Sequence, residues 1–497
     1  MNAPSHSTSA PLFAGVDVGS THCKALLCDA TGTVLARHQR RTPRGADGHT
    51  HPAAPLVAAA LDALRACVRT AGRPPEAVGV TGMAEAGTWL DARGRPLHPV
   101  LAWSDPAPAP HAERLARRHG RTALHRATGV LPSAKVPLAK WCALAADHPQ
   151  TLRRGRTWAG AADLVAHALT GQAGTDATFA QRTMAWDPRA GRWLPELLAI
   201  AGLDEQRMPT VHRPGTAVGH ALADAATATG LRPGTPVVVA GHDHLVGAWA
   251  AGVREPGAVA DSMGTAEAVL TLGAAAPDPA RAAREGMSWG RAVDGRHWVV
   301  LAGARSSGAL VEWFCDRFLG LAGAPGEERY AAFARLLATA PDSVTGLLLA
   351  PYPDGRACPL PDPEATLDLR GLRAHHGPAD LARALLEGAS HHARWMTETQ
   401  AAVLGAQPLA VTLLGGSTRQ TTWTALKAAV SPWPTRVCRE PEAPAAGAAA
   451  WASAATGRDP AALRPDTTAL TPDPATAAAY QDDHHRFLRF VTSGRTA

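Results

Sequence analysis

Lysine is almost missing from this chain. Of 49 basic residues only four are lysines (Lys24, Lys135, Lys140 and Lys427), and the rest are arginines. The arginines are scattered, and a net charge of +6 over 497 residues is small. This resembles codon bias rather than a basic face, so a nucleic-acid partner is not expected. Cysteine is also sparse. The seven cysteines are odd in number and contain no CxxC pair, so they read as neither disulfides nor a cysteine zinc site but as reduced core thiols in a cytoplasmic protein. No apolar run reaches transmembrane length, so no membrane partner is expected. The first ten residues lack the charged and apolar regions of a signal peptide and read as a short disordered leader.

What is present is a globular composition, 46% apolar and 19% charged, on a chain too long for one core. Two large domains are expected. One stretch stands out, Pro236 to Glu267. Its β-branched run Val237–Ala240 reads as a strand buried on both faces. A glycine follows, then His242, Asp243 and His244, a short helical segment, a second strand over Ala258–Met263, and a turn at Gly264-Thr265. Open α/β sheets place their chemistry at such strand ends. Asp243 alone is equally consistent with a helix N-cap.

Elsewhere the chain repeats this rhythm of strand, glycine turn and helix. Leu12 to Asp17 is a strand, and Asp17-Val-Gly19-Ser20-Thr21 turns from it with successive N–H groups and two hydroxyls. Such a turn can cradle a phosphate, and Asp17 can hold a hydrated Mg²⁺ beside it; the Walker A spacing is absent. Pro55–Thr70 puts Val57, Leu61, Leu64 and Val68 on one helical stripe. Glu85 and Asp105 fall at strand ends near Trp103, which offers acceptors for hydroxyl hydrogens and a flat face for C–H groups, the needs of a polyol; surface ion pairing is the competing reading. Residues 109–203 read as a mostly helical insertion without chemistry. The adjacent His391 and His392 cannot face one metal from a helix. Val411–Ser417 repeats the strand and glycine turn, and an alanine helix begins at Pro444.

Taken in order, DVGSTHCKALL, GVTGMAEAG with LAWSD, GHDHLVGAWAAG, DSMGTAE, LAPYPDGR, and LLGGSTRQTTWTALKA with PAAGAAAWA resemble the FGGY carbohydrate kinases, in the superfamily that includes actin. The resemblance runs from about Leu12 to Gly457. It implies an α/β fold of two actin-like (ribonuclease H-like) domains, each with a central mixed sheet flanked by helices, and an active site in the cleft between them. The implied division is 11–255 for the sugar domain, 256–460 for the nucleotide domain, and 461–497 for a C-terminal extension with a terminal helix. It implies an ATP- and Mg²⁺-dependent transfer of the γ-phosphoryl group to a small sugar or polyol, with Asp243 as general base and Asp17 at the metal. Gly19, Ser20, Thr21 and Lys24, then Gly264 and Thr265, fall at the phosphate loops. Gly415, Gly416, Ser417, Gly447 and Ala448 fall at the nucleotide pocket of the second domain. Met83, Ala84, Glu85, Trp103, Asp105, His242 and His244 are the implied substrate contacts. Xylulose-acting members carry Met-His where Ala84-Glu85 stands here, and glycerol-acting members Arg-Glu, while Asp105 agrees with the pentulose-acting members. A ketopentose is the first expectation and a short polyol the second. A non-catalytic regulatory relative and a kinase of a non-carbohydrate alcohol stay open, as does a homodimer.

Overall fold

The computed structural model describes residues 10–304 and 307–493; the expected leader, apart from Ala10, lies outside the described residues. The chain divides into two compact units. The first comprises residues 1–252, 290–297 and 442–465, and the second residues 253–289, 298–441 and 466–497.

The first unit is built on a six-stranded sheet. Its strands are β1 (Leu12–Val18), β2 (His22–Asp29), β3 (Val34–Arg41), β4 (Ala77–Gly82), β5 (Gly219–His220) and β6 (Pro236–His242), in the order β5-β6-β4-β1-β2-β3. The β1–β2–β3 meander is antiparallel, whereas β4 joins β1, and β6 joins β4, in parallel. The parallel strands are the most deeply buried runs because helices cover both faces. All seven β1 residues and all six of β4 are buried. One cover is helix α1 (Ala53–Ala71), closed by Gly72 in the left-handed conformation. Its buried stripe runs Leu56, Ala60, Ala63, Leu64 and Cys67. The expected Val57 and Leu61 are only partly buried: alanine and cysteine fill the contact row, which rotates the stripe by one residue.

The other cover corrects an expectation. The alanine helix, Ala443–Ala454, belongs to the first unit, where it packs across β1, β2 and β4. The approach is close: a Cβ on Gly15 would lie 1.8 Å from the Ala445 carbonyl oxygen, and one on Gly79 1.9 Å from that of Ala448. Gly447 and Ala448 are therefore helix-to-sheet and helix-to-helix packing residues of the first unit and do not group with the second. A cluster of tryptophans (Trp89, Trp141, Trp158) fills the core of the helical insertion, with ring centroids 5.4–5.9 Å apart.

The second unit repeats the plan. Strands β7 (Ala258–Met263), β8 (Glu267–Gly273), β9 (Ser288–Arg291), β10 (Trp298–Ala304), β11 (Ala410–Leu414), β12 (Thr435–Cys438) and β13 (Thr467–Leu470) lie in the order β9-β10-β8-β7-β11-β12-β13. Here too an antiparallel meander is extended by parallel strands, β11 on β7 and β12 on β11. No described helix is long and apolar enough to cross a membrane.

Candidate active site

In the first unit, parallel β1, β4 and β6 end at one edge of the sheet. Asp17 is the sixth residue of β1 and is buried. The chain then turns at Gly19, where a Cβ would lie 2.9 Å from the His22 carbonyl oxygen. The Thr42 hydroxyl donates to the Gly19 carbonyl at 2.7 Å and fixes this turn. Ser20 and Thr21 remain at least partly open to solvent. Lys24, expected at a phosphate, pairs with Glu442 at 2.6 Å just before the alanine helix.

β6 reaches the same edge through a bulge at Val239–Gly241. Gly241 has φ +112°, and a Cβ there would sit 2.4 Å from the Thr178 hydroxyl. The peptide joining Gly241 to His242 is held at both ends. The Thr81 hydroxyl donates to its carbonyl at 2.6 Å, and its N–H donates to the Thr178 hydroxyl at 2.8 Å. Thr178 in turn donates to Asp176 at 2.5 Å. Helix α2 (Asp243–Ala250) starts immediately afterwards. Its cap position is His242, whose side chain makes no capping bond. Asp243 is the first helical residue, its Oδ1 accepting the His244 N–H at 2.7 Å. Simple N-capping by Asp243 is therefore not the geometry observed.

The charges converge. Burial raises the pKa of Asp17, and the charge of Asp243 raises it further. Burial likewise raises that of Asp243, with Glu85 adding to the rise, while the His244 N–H and Lys24 oppose it. Two carboxylates thus lie close enough to repel each other in a desolvated place. Asp17 Oδ1 is buried without a hydrogen-bond partner among the described residues. An orphaned carboxylate oxygen beside a second carboxylate suits a hard cation such as Mg²⁺. Burial keeps the His242 and His244 imidazoles neutral, moving the pKa of His244 down to about 4.

The expected substrate contacts divide. Met83 and Ala84 are buried in the core of the unit. Glu85 follows at φ 65°, and its carboxylate takes two donors from Arg182, one at 3.0 Å from Nε and a shorter one from Nη2. Burial works to raise the Glu85 pKa, but Arg182 and then Lys135 outweigh it and hold the group ionised. Lys140, fully buried, donates to the carbonyls of Glu85 and Ala102 at 2.6 and 2.7 Å. It thereby ties the Glu85 turn to the strand leading into Trp103. Asp105 accepts the Ala107 N–H at 2.9 Å, and Lys135 lies 5.2 Å over the Trp103 ring. Thr81, Lys140, Thr178 and Arg182 were not singled out from the sequence.

The second unit brings its own two turns together. Gly264 and Thr265 link β7 to β8, and their carbonyls accept the N–H groups of Gly308 and Ala309 at 2.9 Å each. Gly415, at φ +96°, backs onto Met263, where a Cβ would meet the Met263 carbonyl oxygen at 2.7 Å. Gly416 is open and Ser417 is buried. Helix α3 (Thr421–Val430) then carries Lys427 between Asp261 of β7, at 2.6 Å, and Glu267 of β8, in closer contact. Burial and the charge of Asp261 push the Glu267 pKa up, and Lys427 works against them.

Comparisons with known proteins agree along the chain. Residues 12–250 match the N-terminal domain, and residues 259–456 the C-terminal domain, of the FGGY family of carbohydrate kinases. A xylulose kinase of Streptomyces rubiginosus is 31% identical over 460 residues, covering 91% of this chain and 90% of its own. A glycerol kinase of Rhodospirillum rubrum is 29% identical, covering 82% of each chain. The crystal structure of a xylulose kinase from Rhodospirillum rubrum superimposes with a TM-score of 0.85 at 26% identity, covering 97% and 98% of the two chains.

Proposed function

The chain belongs to the FGGY family of carbohydrate kinases, phosphotransferases with an alcohol acceptor, and on that footing we propose that it phosphorylates a neutral ketopentose with Asp243 as the base. The observation that carries this reading is the placement of Asp243. It sits where a parallel strand ends, beside Asp17, on a peptide clamped by two threonine hydroxyls. Phosphoryl transfer asks little covalent chemistry of the protein and depends on positioning and charge. Asp243 aligns the attacking hydroxyl and accepts its proton. Asp17 would hold the Mg²⁺ that accompanies ATP, and that ion supplies neutralisation of phosphate charge. Gly19–Thr21 in the first unit, and Gly264-Thr265 with Gly415–Ser417 in the second, offer N–H groups and hydroxyls to phosphate oxygens.

The substrate side favours an uncharged polyol over a sugar acid. Arg182 is matched by Glu85, and Lys140 is consumed by two carbonyls. Lys135 over Trp103 is the cation not consumed by these contacts, and the Glu85–Arg182 pair offers hydroxyls an acceptor and donors together. The likeness to xylulose kinases at 31% and 30% identity supports the pentulose.

The test is release of ADP across a panel of ketoses, polyols and sugar acids, with Asp243→Asn alongside. Xylulose is expected to lead the panel. The variant should lose about 10²–10⁴-fold in kcat, the usual share of a positioned base, and bind the sugar as before. Near-normal turnover by Asp243→Asn would place the base elsewhere, and turnover with sugar acids alone would overturn the substrate class.

A further inference from the structure

His242, Asp243 and His244 are consecutive, yet the end of β6 and the first turn of α2 bring their side chains together rather than apart. One ligand-capable atom from each lies within 4.8 Å of the other two. His242 Nε2 is 3.3 Å from Asp243 Oδ1, and the imidazole rings stand edge to face with centroids 5.3 Å apart. His242 is only 6% exposed, and its Nδ1 has no hydrogen-bond partner among the described residues. Arg182, which acts on both histidines, is matched by Glu85, and Lys135 bears on His244 as well.

The geometry points to a second metal site here: His242, Asp243 and His244 bind a borderline divalent transition ion, Zn²⁺ or Co²⁺, separately from the Mg²⁺ that travels with ATP. Two imidazole nitrogens and one carboxylate oxygen are a donor set for Zn²⁺, whose bonds to nitrogen and oxygen are about 2.0–2.2 Å. Ligand atoms that are now within 4.8 Å of one another need to close only modestly to reach a tetrahedral spacing. Mg²⁺ prefers oxygen and water and has little use for two imidazoles. The two metals would therefore be told apart by donor chemistry. The consequence for activity rests on the base reading above: a transition ion on Asp243 occupies the lone pair that must accept the proton. Zn²⁺ is then an inhibitor reversed by chelation, not a cofactor.

The experiment is equilibrium dialysis of the full chain against Zn²⁺ in excess Mg²⁺, together with the visible spectrum in Co²⁺. One equivalent of Zn²⁺ should bind with an affinity at least tenfold weaker in His244→Gln and in His242→Gln, but not in His38→Gln, a histidine on β3 at the far edge of the sheet from β6. The Co²⁺ protein should show the intense visible bands of a low-coordinate ion. Equal Zn²⁺ affinity in wild type and both site variants would overturn the site. So would the weak spectrum of an all-oxygen octahedral ion. If a variant fails to fold by circular dichroism, the wild-type Co²⁺ spectrum still decides. Both readouts are independent of turnover, so a chain that binds Zn²⁺ here without phosphorylating a sugar refutes the proposed function and leaves the metal site standing.

Discussion

Replacing Thr178 by valine removes one hydroxyl and keeps the shape of the side chain. That hydroxyl accepts the His242 N–H at 2.8 Å and donates to Asp176 at 2.5 Å. The N–H becomes a buried, unpaired donor, at a cost of about 1–3 kcal/mol, whereas Asp176 keeps the backbone N–H of residue 178 at 2.6 Å. The kinetic effect should exceed what lost stability alone implies. The freed peptide is the one that aims Asp243, and a displacement of about 1 Å at a reacting group can cost roughly 10²-fold. Thr178→Val should therefore lower kcat some 10- to 100-fold while the KM for the sugar changes little. Thr81→Val frees the other end of the same peptide. Two clamps on one rigid plane should not act independently, so a double-mutant cycle in kcat should give a coupling of about 0.5–3 kcal/mol. Steady-state ADP release, paired with urea unfolding of each variant, measures all of this. A Thr178→Val enzyme with kcat within twofold of wild type, despite the expected loss in unfolding free energy, would refute the positioning role.

Two further outcomes concern stability. Asp163 is buried and accepts the Gly160 N–H at 2.9 Å; burial, with help from the charge of Asp176, pushes its pKa up to about 7. The folded state thus binds this proton more tightly than the unfolded chain does. The resulting stability is full below about pH 4 and is lost as pH rises towards 7. Asp163→Asn keeps an acceptor for Gly160 and should gain on wild type by about 2 kcal/mol between pH 5 and pH 7. Denaturant melts at both pH values check this, and a pH-independent difference would mean that Asp163 stays ionised in the fold. In the second unit, Lys427→Met strands the Asp261 charge in the core. It should cost about 3–5 kcal/mol, read as a lowered unfolding midpoint; an unchanged midpoint would show that the carboxylates hold without their cation.

The strands were legible because two-sided burial leaves unbroken apolar runs, and β1, β4 and β6 are such runs. Asp17 and Asp243 stand out because each falls at the end of such a run, although capping explains Asp243 equally well until the ordered motifs are taken together. The partners that aim them were hidden by distance. Thr178 and Arg182 lie in a helical insertion whose periodicity reports burial only, and their contacts reach 64 and 97 residues along the chain. The alanine helix misled for a different reason. Eight of its twelve residues are alanine and nearly all are buried, so no polar stripe marks an outward face and nothing local says which sheet it covers. The sheet carried the missing half of that signal: Gly15 and Gly79, inside otherwise bulky strands, are the places where that helix comes down.

The scarcity of lysine turns out to bear on the site. With arginine supplying the general surface charge, the four lysines left are each in a particular contact. Lys24 meets Glu442, Lys135 covers Trp103, Lys140 bridges two carbonyls, and Lys427 neutralises the Asp261–Glu267 pair. The two buried ones show why arginine would not serve. Around Lys140 two carbonyl oxygens lie 2.6 and 2.7 Å from a single nitrogen. Around Lys427 one ammonium faces two carboxylates from neighbouring strands. A compact ammonium with three donors radiating from one atom fits such convergent acceptors, whereas the planar guanidinium spreads its donors across a fork matched to one carboxylate. Arg182, which meets one carboxylate through two nitrogens, is the complementary case. Where lysine is so scarce, a lysine buried inside an apolar helix marks a place where charge is delivered at a point. Lys24, Lys135 and Lys140 lie by the turns that follow β1 and β4 and lead to Trp103, and the fourth, Lys427, braces the strands on either side of Gly264-Thr265.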